Sequence, residues 1–346
     1  MLKFVLISIF TLAALHPNVA LSSNACSERA ITSAADVDVS DGSSFKVDTY
    51  FYSKDISAIR HLYDSYQTIA VEGPQSWTHK GDKSELGTEF HKLFALGHQF
   101  HAFILHFENI AANITRDGEV LFDNENRQAV SGDYPYGGVV HLIQGDDEVR
   151  PLGLLFEFPE NMVISVKFSE WREMDGVALP FLLQIDDGDR VFDYRYTEIS
   201  VTPKSPLWYF DAVPAPPLGE VEVYRLHRKL LAAHCLGDAD MISNLSASNV
   251  LIANRGELQQ VSSDSIRDQF SALFQALDYT EYRDILPPTI ELSPNSDFGW
   301  VGAKVRASGS AVDTGTAFNA QWAWVMMVKK IDNVWLHAGN ASNRKE

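Results

Sequence analysis

The chain has 346 residues, with 28 Lys and Arg set against 46 Asp and Glu, a formal net charge of −18. Such a balance argues against an extended phosphate-binding surface, and with it against nucleic acid as a partner. Two cysteines, Cys26 and Cys235, exclude a disulfide framework. One bridge between them stays open, and the simpler expectation is Cys235 as a small buried apolar residue.

Met1 to Ala20 reads as a signal peptide. Lys3 supplies the positive start, and Phe4 to Leu15 is an apolar core too short for the ~20 residues of a spanning helix. A cut after Ala20 or Ala25 fits, which makes the mature protein secreted or periplasmic. No later segment is long and apolar enough to cross a membrane, so the chain is not an integral membrane protein once the leader is removed. A lipidated Cys26 would want an apolar residue three places earlier, where Ser23 stands. About 320 residues remain, room for two domains at ~150 residues each.

Residues 21–42, rich in Ser, Ala, Asp and Asn, are expected to be a flexible leader. Tyr50 to Ala70 reads as a helix, because Ile56, Ile59, Leu62, Tyr63 and Tyr66 recur at spacings of three and four. A second, short helix covers Leu86 to Leu96, with Gly97 as its stop. The period then shortens. Strands are expected over Phe100–Phe107, Val139–Gln144, Leu152–Phe158, Val163–Glu173, Leu179–Ile185 and Val191–Val201. Turns at Asp117-Gly118, Gly145-Asp146-Asp147, Pro159-Glu160-Asn161, Asp175-Gly176 and Asp187-Gly188 make this an antiparallel meander.

Trp171 to Phe181, then Asp187-Gly188-Asp189-Arg190 and Tyr194 to Ile199, resemble the repeating hairpins of outer-membrane lipoprotein-sorting (LolA-like) domains. The resemblance extends over about Phe45 to Asp211. It implies a curved sheet and helices around an apolar groove, and hence a lipid or other small apolar ligand. Val213-Pro214-Ala215-Pro216-Pro217-Leu218-Gly219 is a semi-rigid spacer. The domains are therefore 43–212 and 221–346, with a Pro-rich linker at 213–220.

In the second domain Val223, Leu226, His227, Leu230, Leu231 and His234 form one helical stripe that Gly237 ends. Asp238 caps the next helix, which carries Met241, Ile242 and Leu245. A further helix spans Ser263 to Leu277, with Ser263 or Asp264 as its cap. Strands follow over Thr289–Leu292, Trp300–Ala307, Ala317–Lys330 and Val334–Ala341, the last two joined by Asp332-Asn333. The fold class is α+β: a sheet meander with one or two helices, then helices packed on a curved antiparallel sheet.

Leu226 to His234, Gly237-Asp238, Gly299-Trp300-Val301 and the closing Val334 to Ser342 resemble the SnoaL-like, nuclear transport factor 2-like cone family. The resemblance implies a cone with a hollow and a homodimer through its sheet. The family holds isomerases, cyclases and dehydratases beside binding modules without chemistry, so it speaks to shape more than to activity.

Acid–base chemistry in such a hollow needs a histidine or carboxylate tuned by burial and a donor for a developing oxyanion. His234 is the candidate base, Tyr282 and Asn340 the candidate donors, and Tyr279, Trp322, Trp324 and Met326 the candidate ligand wall. The bland alternatives are a core histidine and aromatic packing. No Asp or Glu occupies an interior position of Ala317 to Val328, which counts against a carboxylate-based isomerase. Lys304 and Arg306 share one strand face and are open to an anionic group or to solvent. His227 and His234, seven apart, are ~10 Å apart along a helix and cannot share a metal; His91 and His98 meet the same objection. No metal or cofactor is expected. Hydrolase, phosphate-loop and dinucleotide motifs are absent from the sequence. The leading reading is an exported protein that binds an apolar small molecule or a protein partner. The alternative is an isomerase, dehydratase or hydrolase with His234 as base.

Overall fold

The computed structural model describes residues 26, 28–62, 66–145, 150–159, 162–174, 176–214, 216–254 and 256–345. The expected signal peptide, both cut sites and the turn residues Asp146, Asp147, Glu160, Asn161 and Asp175 lie outside the described residues. Among the described residues no helix is long and apolar enough to cross a membrane.

Strands β1 (Glu28–Val39), β2 (Ser44–Ser53), β3 (Ile56–Leu62), β4 (Tyr66–Glu72), β5 (Gln75–Lys80) and β6 (Lys83–Leu86) come first. Helices α1 (Glu89–Gly97) and α2 (Phe100–Ile110) follow. Then come β7 (Ala112–Phe122), β8 (Glu125–Asp133), β9 (Val139–Ile143), β10 (Gly153–Glu157), β11 (Val163–Met174), β12 (Val177–Asp186) and β13 (Val191–Lys204). They form one 13-stranded sheet in the order β6-β5-β4-β3-β2-β1-β13-β12-β11-β10-β9-β8-β7. Each half is a meander, and the long antiparallel pairing of β1 with β13 joins them at the centre. The two helices carry the chain from one edge strand to the other, and Ala95, Leu96, Phe100 and Phe103 bury themselves in the sheet's main core.

Four expectations for this half are corrected. Residues 28–39 are no flexible leader: they form β1, hydrogen-bonded on both sides to β2 and β13. Its buried positions are split between two faces, Ile31, Ala35 and Val37 on one and Ala30 on the other, and the small residues leave both too light to read as apolar. The described residues between Tyr50 and Ala70 form no helix but parts of β2, β3 and β4, and Tyr63 lies outside the described residues. There the sheet is covered on both faces, Phe51, Ile59 and Ile69 facing one core and Tyr52, Ile56, Ala58 and Ala70 another. Burial on both faces erases the alternation that marks a half-wet strand, and leaves a spacing that mimics a helix. Conversely, Phe100–Phe107 belongs to α2, with Phe100, His101, Ala102, Phe103 and Phe107 buried. A helix apolar nearly all round shows no stripe to distinguish it from a buried strand. Asp117-Gly118 lies inside β7, and the hairpin falls later, at Asp123 and Asn124 with φ of 53° and 64°.

After α3 (Trp208–Ala212) and the prolines, the second half runs α4 (Gly219–Leu236), α5 (Ala239–Asn244), β14 (Ser246–Asn254), β15 (Glu257–Ser262) and α6 (Ser263–Ala276). It closes with β16 (Leu277–Asp284), β17 (Thr289–Leu292), β18 (Phe298–Ala311), β19 (Ala317–Ile331) and β20 (Val334–Arg344). The sheet order is β15-β14-β20-β19-β18-β16, with β17 also on β18. Bulges at Tyr279/Glu281 and Met327/Val328 bend it. As expected, Gly237 ends α4 in the left-handed region and Asp238 accepts from the Met241 amide. The cap of α6 is Ser262, one residue earlier than expected. β14, β15 and β16 carry no expectation from sequence. The architecture is α+β, mostly antiparallel sheet.

The two halves are stitched together. Glu72, at the end of β4, is fully buried and accepts from Trp77 Nε1 at 3.0 Å and from Arg225 Nε of α4 at 2.8 Å. Arg225 also donates to the carbonyls of Phe210 and Val213. The Tyr209 hydroxyl donates to the Ser57 carbonyl at 3.1 Å. Gly73, in the left-handed region at φ +61°, lies so close to Tyr224 that a Cβ would overlap its ring. Cys26, just before β1, forms a disulfide with Cys235 in the last turn of α4. The expectation of an unpaired Cys235 is thereby corrected.

Candidate functional site

Strand register decides which side chains share the inner face of the cone. Asp284 pairs with Val305, which pairs with Trp322; Tyr282 pairs with Ala307, which pairs with Ala320. Met326 pairs with Val301 on one side and Asn340 on the other. Side chains alternate along each strand, so Tyr282, Asp284, Trp322, Trp324, Met326 and Asn340 all belong to one face. Helix α4 lies over it, Leu231 clustering with Ala303, Val305, Tyr282 and Trp324.

The most organised polar group on this face is one the sequence did not single out. His227, on the buried stripe of α4 and fully enclosed, places Nε2 at 2.9 and 3.1 Å from the two carboxylate oxygens of Asp284. Arg228 Nη1 stands 3.6 Å from the same carboxylate. Burial pushes the Asp284 carboxyl up, but His227 and Arg228 together outweigh it and hold the group below its ordinary value. The other ring nitrogen, Nδ1, is buried without a partner among the described residues. Trp324 Nε1, a donor, is likewise unpartnered, and its ring meets His227 edge-on at 5.8 Å. Asp284 was not considered because β16 was not recognised. Its alternation of Tyr279, Glu281 and Arg283 against Tyr282 and Asp284 across a bulge breaks the period-two signal.

His234, two turns further along α4, sits elsewhere in the same layer. Its ring stacks on Tyr282 at 4.0 Å and meets Phe270, Phe274 and Tyr279 edge-on. Nδ1 donates to the Leu230 carbonyl at 2.7 Å, and burial holds the imidazole down at about 4. Tyr282 and Tyr279 are thus in contact with the expected base. Asn340 is not brought to it: its Oδ1 is buried and unpartnered on β20, beside Met326. Met326 is core, packed with Val301, Val328 and Trp335, while Trp322 is half-buried under the Arg344 guanidinium. Lys304 and Arg306 belong to the outer face.

At the mouth of the cone is a cavity of about 360 Å³ walled by both halves. The N-terminal sheet contributes the β2–β3 turn with Asp55 and the β4–β5 turn with Gly73. The cone contributes Tyr224, Arg228 and Cys235 from α4, then Tyr282, Asp284 and the apolar turn through Pro287 and Pro288. Asp55 has no sequence signal at all; only the tertiary structure brings it here. Among the described residues no group of three or more His, Cys, Asp or Glu is placed to hold a metal ion.

No family model matches the chain, and no curated protein sequence matches it. Solved structures do. A ketosteroid isomerase-like protein from Erwinia carotovora atroseptica aligns at 12% identity over 37% of this chain and 96% of its own, with a TM-score of 0.32. An NTF2-like protein from Rhodospirillum rubrum aligns at 13% identity over 36% of this chain and 98% of its own, TM-score 0.31. A LolA superfamily protein from Nitrosomonas europaea aligns at 10% identity over 54% of this chain and 92% of its own, TM-score 0.39. The chain thus resembles NTF2-like and LolA-like proteins, as expected from its sequence, and at these identities the likeness is one of fold.

Proposed function

We propose that this chain is an exported two-domain binding protein that takes a small molecule at the junction of a LolA-like sheet and a cone. The observation that carries the reading is the cavity walled by both halves, with the cone's half-buried Arg228 and Asp284 on one side and the Asp55 turn on the other. The sequence pointed to an apolar guest. Charged groups on the cavity wall favour a guest with polar groups as well. A homodimer through the outer cone face is part of this reading: Trp300, Val325 and Leu251 are exposed there. Sedimentation analysis of the full chain tests that part, and a strict monomer removes it. The binding role is tested by native mass spectrometry of protein purified from its source, beside thermal-shift screening of a broad metabolite panel. A chain that retains no small molecule and is stabilised by no compound overturns the reading.

A second reading, catalysis in the cone, is favoured by the His227–Asp284 pair, a buried base oriented by an ionised carboxylate. Isomerisation, dehydration or hydrolysis would then rest on this pair or on His234 with Tyr282. Any turnover discovered for the protein discriminates: loss in Asp284→Asn with retention in His234→Gln assigns it to the pair, and the reverse assigns it to His234.

A further inference from the structure

Within the ligand-binding reading, the lining of the junction cavity narrows the chemistry of its occupant. Two carboxyl groups face it, and they differ. Asp284 has partners: His227 Nε2 lies within reach of both its oxygens and Arg228 stands at 3.6 Å. Asp55 is unlike it. Its backbone carbonyl accepts from the Gly73 amide at 2.6 Å, but its carboxyl group makes no hydrogen bond or ion pair among the described residues. Burial pushes that carboxyl up, with Lys54 and Arg228 opposing and Asp284 reinforcing. Asp55 is half-buried at the cavity wall, so its carboxyl is open to a hydrogen bond from whatever occupies the cavity.

Charge on the wall alternates. An anionic guest drawn to Arg228 or Arg283 meets Asp55 and Asp284, and a cationic guest drawn to Asp55 meets Lys54, Arg228 and Arg283. A neutral guest with adjacent hydroxyl groups escapes both conflicts, because each O–H donates and accepts. It also suits Asp55 in either protonation state. Two tyrosines, Tyr224 and Tyr282, add ring surface, and Tyr282 is braced from behind by the stacked His234. We infer that the junction cavity binds a small neutral polyhydroxyl compound of monosaccharide or cyclitol type. Asp55 is its hydrogen-bond anchor from one domain and the Asp284-oriented Arg228 its anchor from the other.

The test is calorimetric titration of the full-length mature protein with glucose, xylose and myo-inositol, set against sodium glutarate and putrescine. The expected result is saturable binding of at least one neutral compound, weakened about 10-fold or more in Asp55→Asn, as befits loss of a hydrogen bond to a charged group. Asp55 is in a surface hairpin and the amide keeps its shape, so folding of that variant is checked simply by circular dichroism. Ala232→Trp, which fills the cavity from α4, should abolish binding. Binding of glutarate or putrescine alone, abolished by Ala232→Trp, would sink the polyhydroxyl class while leaving the ligand cavity standing. Polyol binding indifferent to both substitutions would sink the site, and no saturable binding by any of the three neutral probes would sink the class.

Discussion

Histidines in the two halves of this molecule are buried alike and used differently. In the N-terminal sheet His98 and His101 each bond a backbone carbonyl, those of Phe94 and Pro180, and His61 sits against the rings of Phe45, Phe94 and His98. Burial holds these imidazoles at about 3 to 4, so they are neutral packing units at any ordinary pH. In the cone His227 is as deeply buried but faces a carboxylate with a guanidinium beside it. A protein can bury a neutral imidazole for little, whereas a charged cluster costs several kcal/mol of desolvation per ion unless well compensated. The contrast teaches where to look: a buried histidine with a carbonyl partner is core, and one with charged partners at a cavity wall is a candidate for function.

The comparison has a control at the seam between the halves, where Glu72 and Arg225 are also buried and paired but do not themselves line the cavity. Here the largest effect is expected. Glu72→Ala or Arg225→Ala leaves one charge buried without its partner and should cost about 3–5 kcal/mol in urea unfolding. The double replacement Glu72→Gln with Arg225→Met should recover much of that loss. If both single variants cost under about 1 kcal/mol, the pair is less buried than described and the halves are joined by other contacts.

Next comes the disulfide, which ties the segment before β1 to the end of α4 across a sequence separation of 209. Reduction, or Cys26→Ser with Cys235→Ser, should lower stability by about 2–4 kcal/mol. Because Cys235 lines the cavity, the same change should loosen the mouth of the cone more than the sheet's centre. Hydrogen exchange reads this directly: faster exchange confined to α4 and β16 is expected, and uniform acceleration would show that the bridge merely stabilises the whole chain.

How much of this was legible beforehand differs between the halves for physical reasons. The cone's α4, α5 and the strands from Thr289 onward were readable, because each has one wet face and a capped end such as Asp238 or Gly237. The N-terminal strands β1 to β4 were not, because both faces are covered and the small residues of β1 carry little hydrophobic signal. For the site, the helical stripe singles out His234, and Tyr282 is only one of several candidate donors; the fold stacks their rings at 4.0 Å. Asp284 was hidden by the bulge in β16, and Asp55 by being an ordinary turn residue that only tertiary packing carries to the cone. The carboxylate nearest the α4 histidines stands on β16, not on β19.

A smaller effect sharpens the histidine comparison itself. Asp284→Asn keeps the shape but weakens the hydrogen bond to His227, and should cost about 1–3 kcal/mol. His101→Gln, which retains a donor toward the Pro180 carbonyl, should cost less in polar terms and lose mainly ring packing against Tyr196. Equal costs in the two variants would mean that the carboxylate adds nothing to what a carbonyl supplies, and the distinction between core and functional histidines would collapse.

The last and most gradual effect is the response to acid, and its sign follows from which state binds the proton. His61, His98, His101, His234 and His337 have folded values lowered to about 3 or about 4 by burial. Between the ordinary histidine value near 6.5 and about 4, the unfolded chain binds protons that the folded chain refuses, so stability falls as pH falls through that window. Asp284 acts in the same direction but lower: its contribution is complete above the ordinary carboxylate value and is lost as pH drops through its lowered folded value. The melting temperature should therefore decline from about pH 6.5 downward in a broad slope owned by both halves, with a further loss owned by the cone. Replacing His101 by Phe should flatten the upper part of the slope without touching the lower. Asp284→Asn should do the reverse. A slope that begins only below pH 4 would mean the histidines are reached by solvent and protonated in the folded state, which would remove the ground for treating those of the N-terminal sheet as inert.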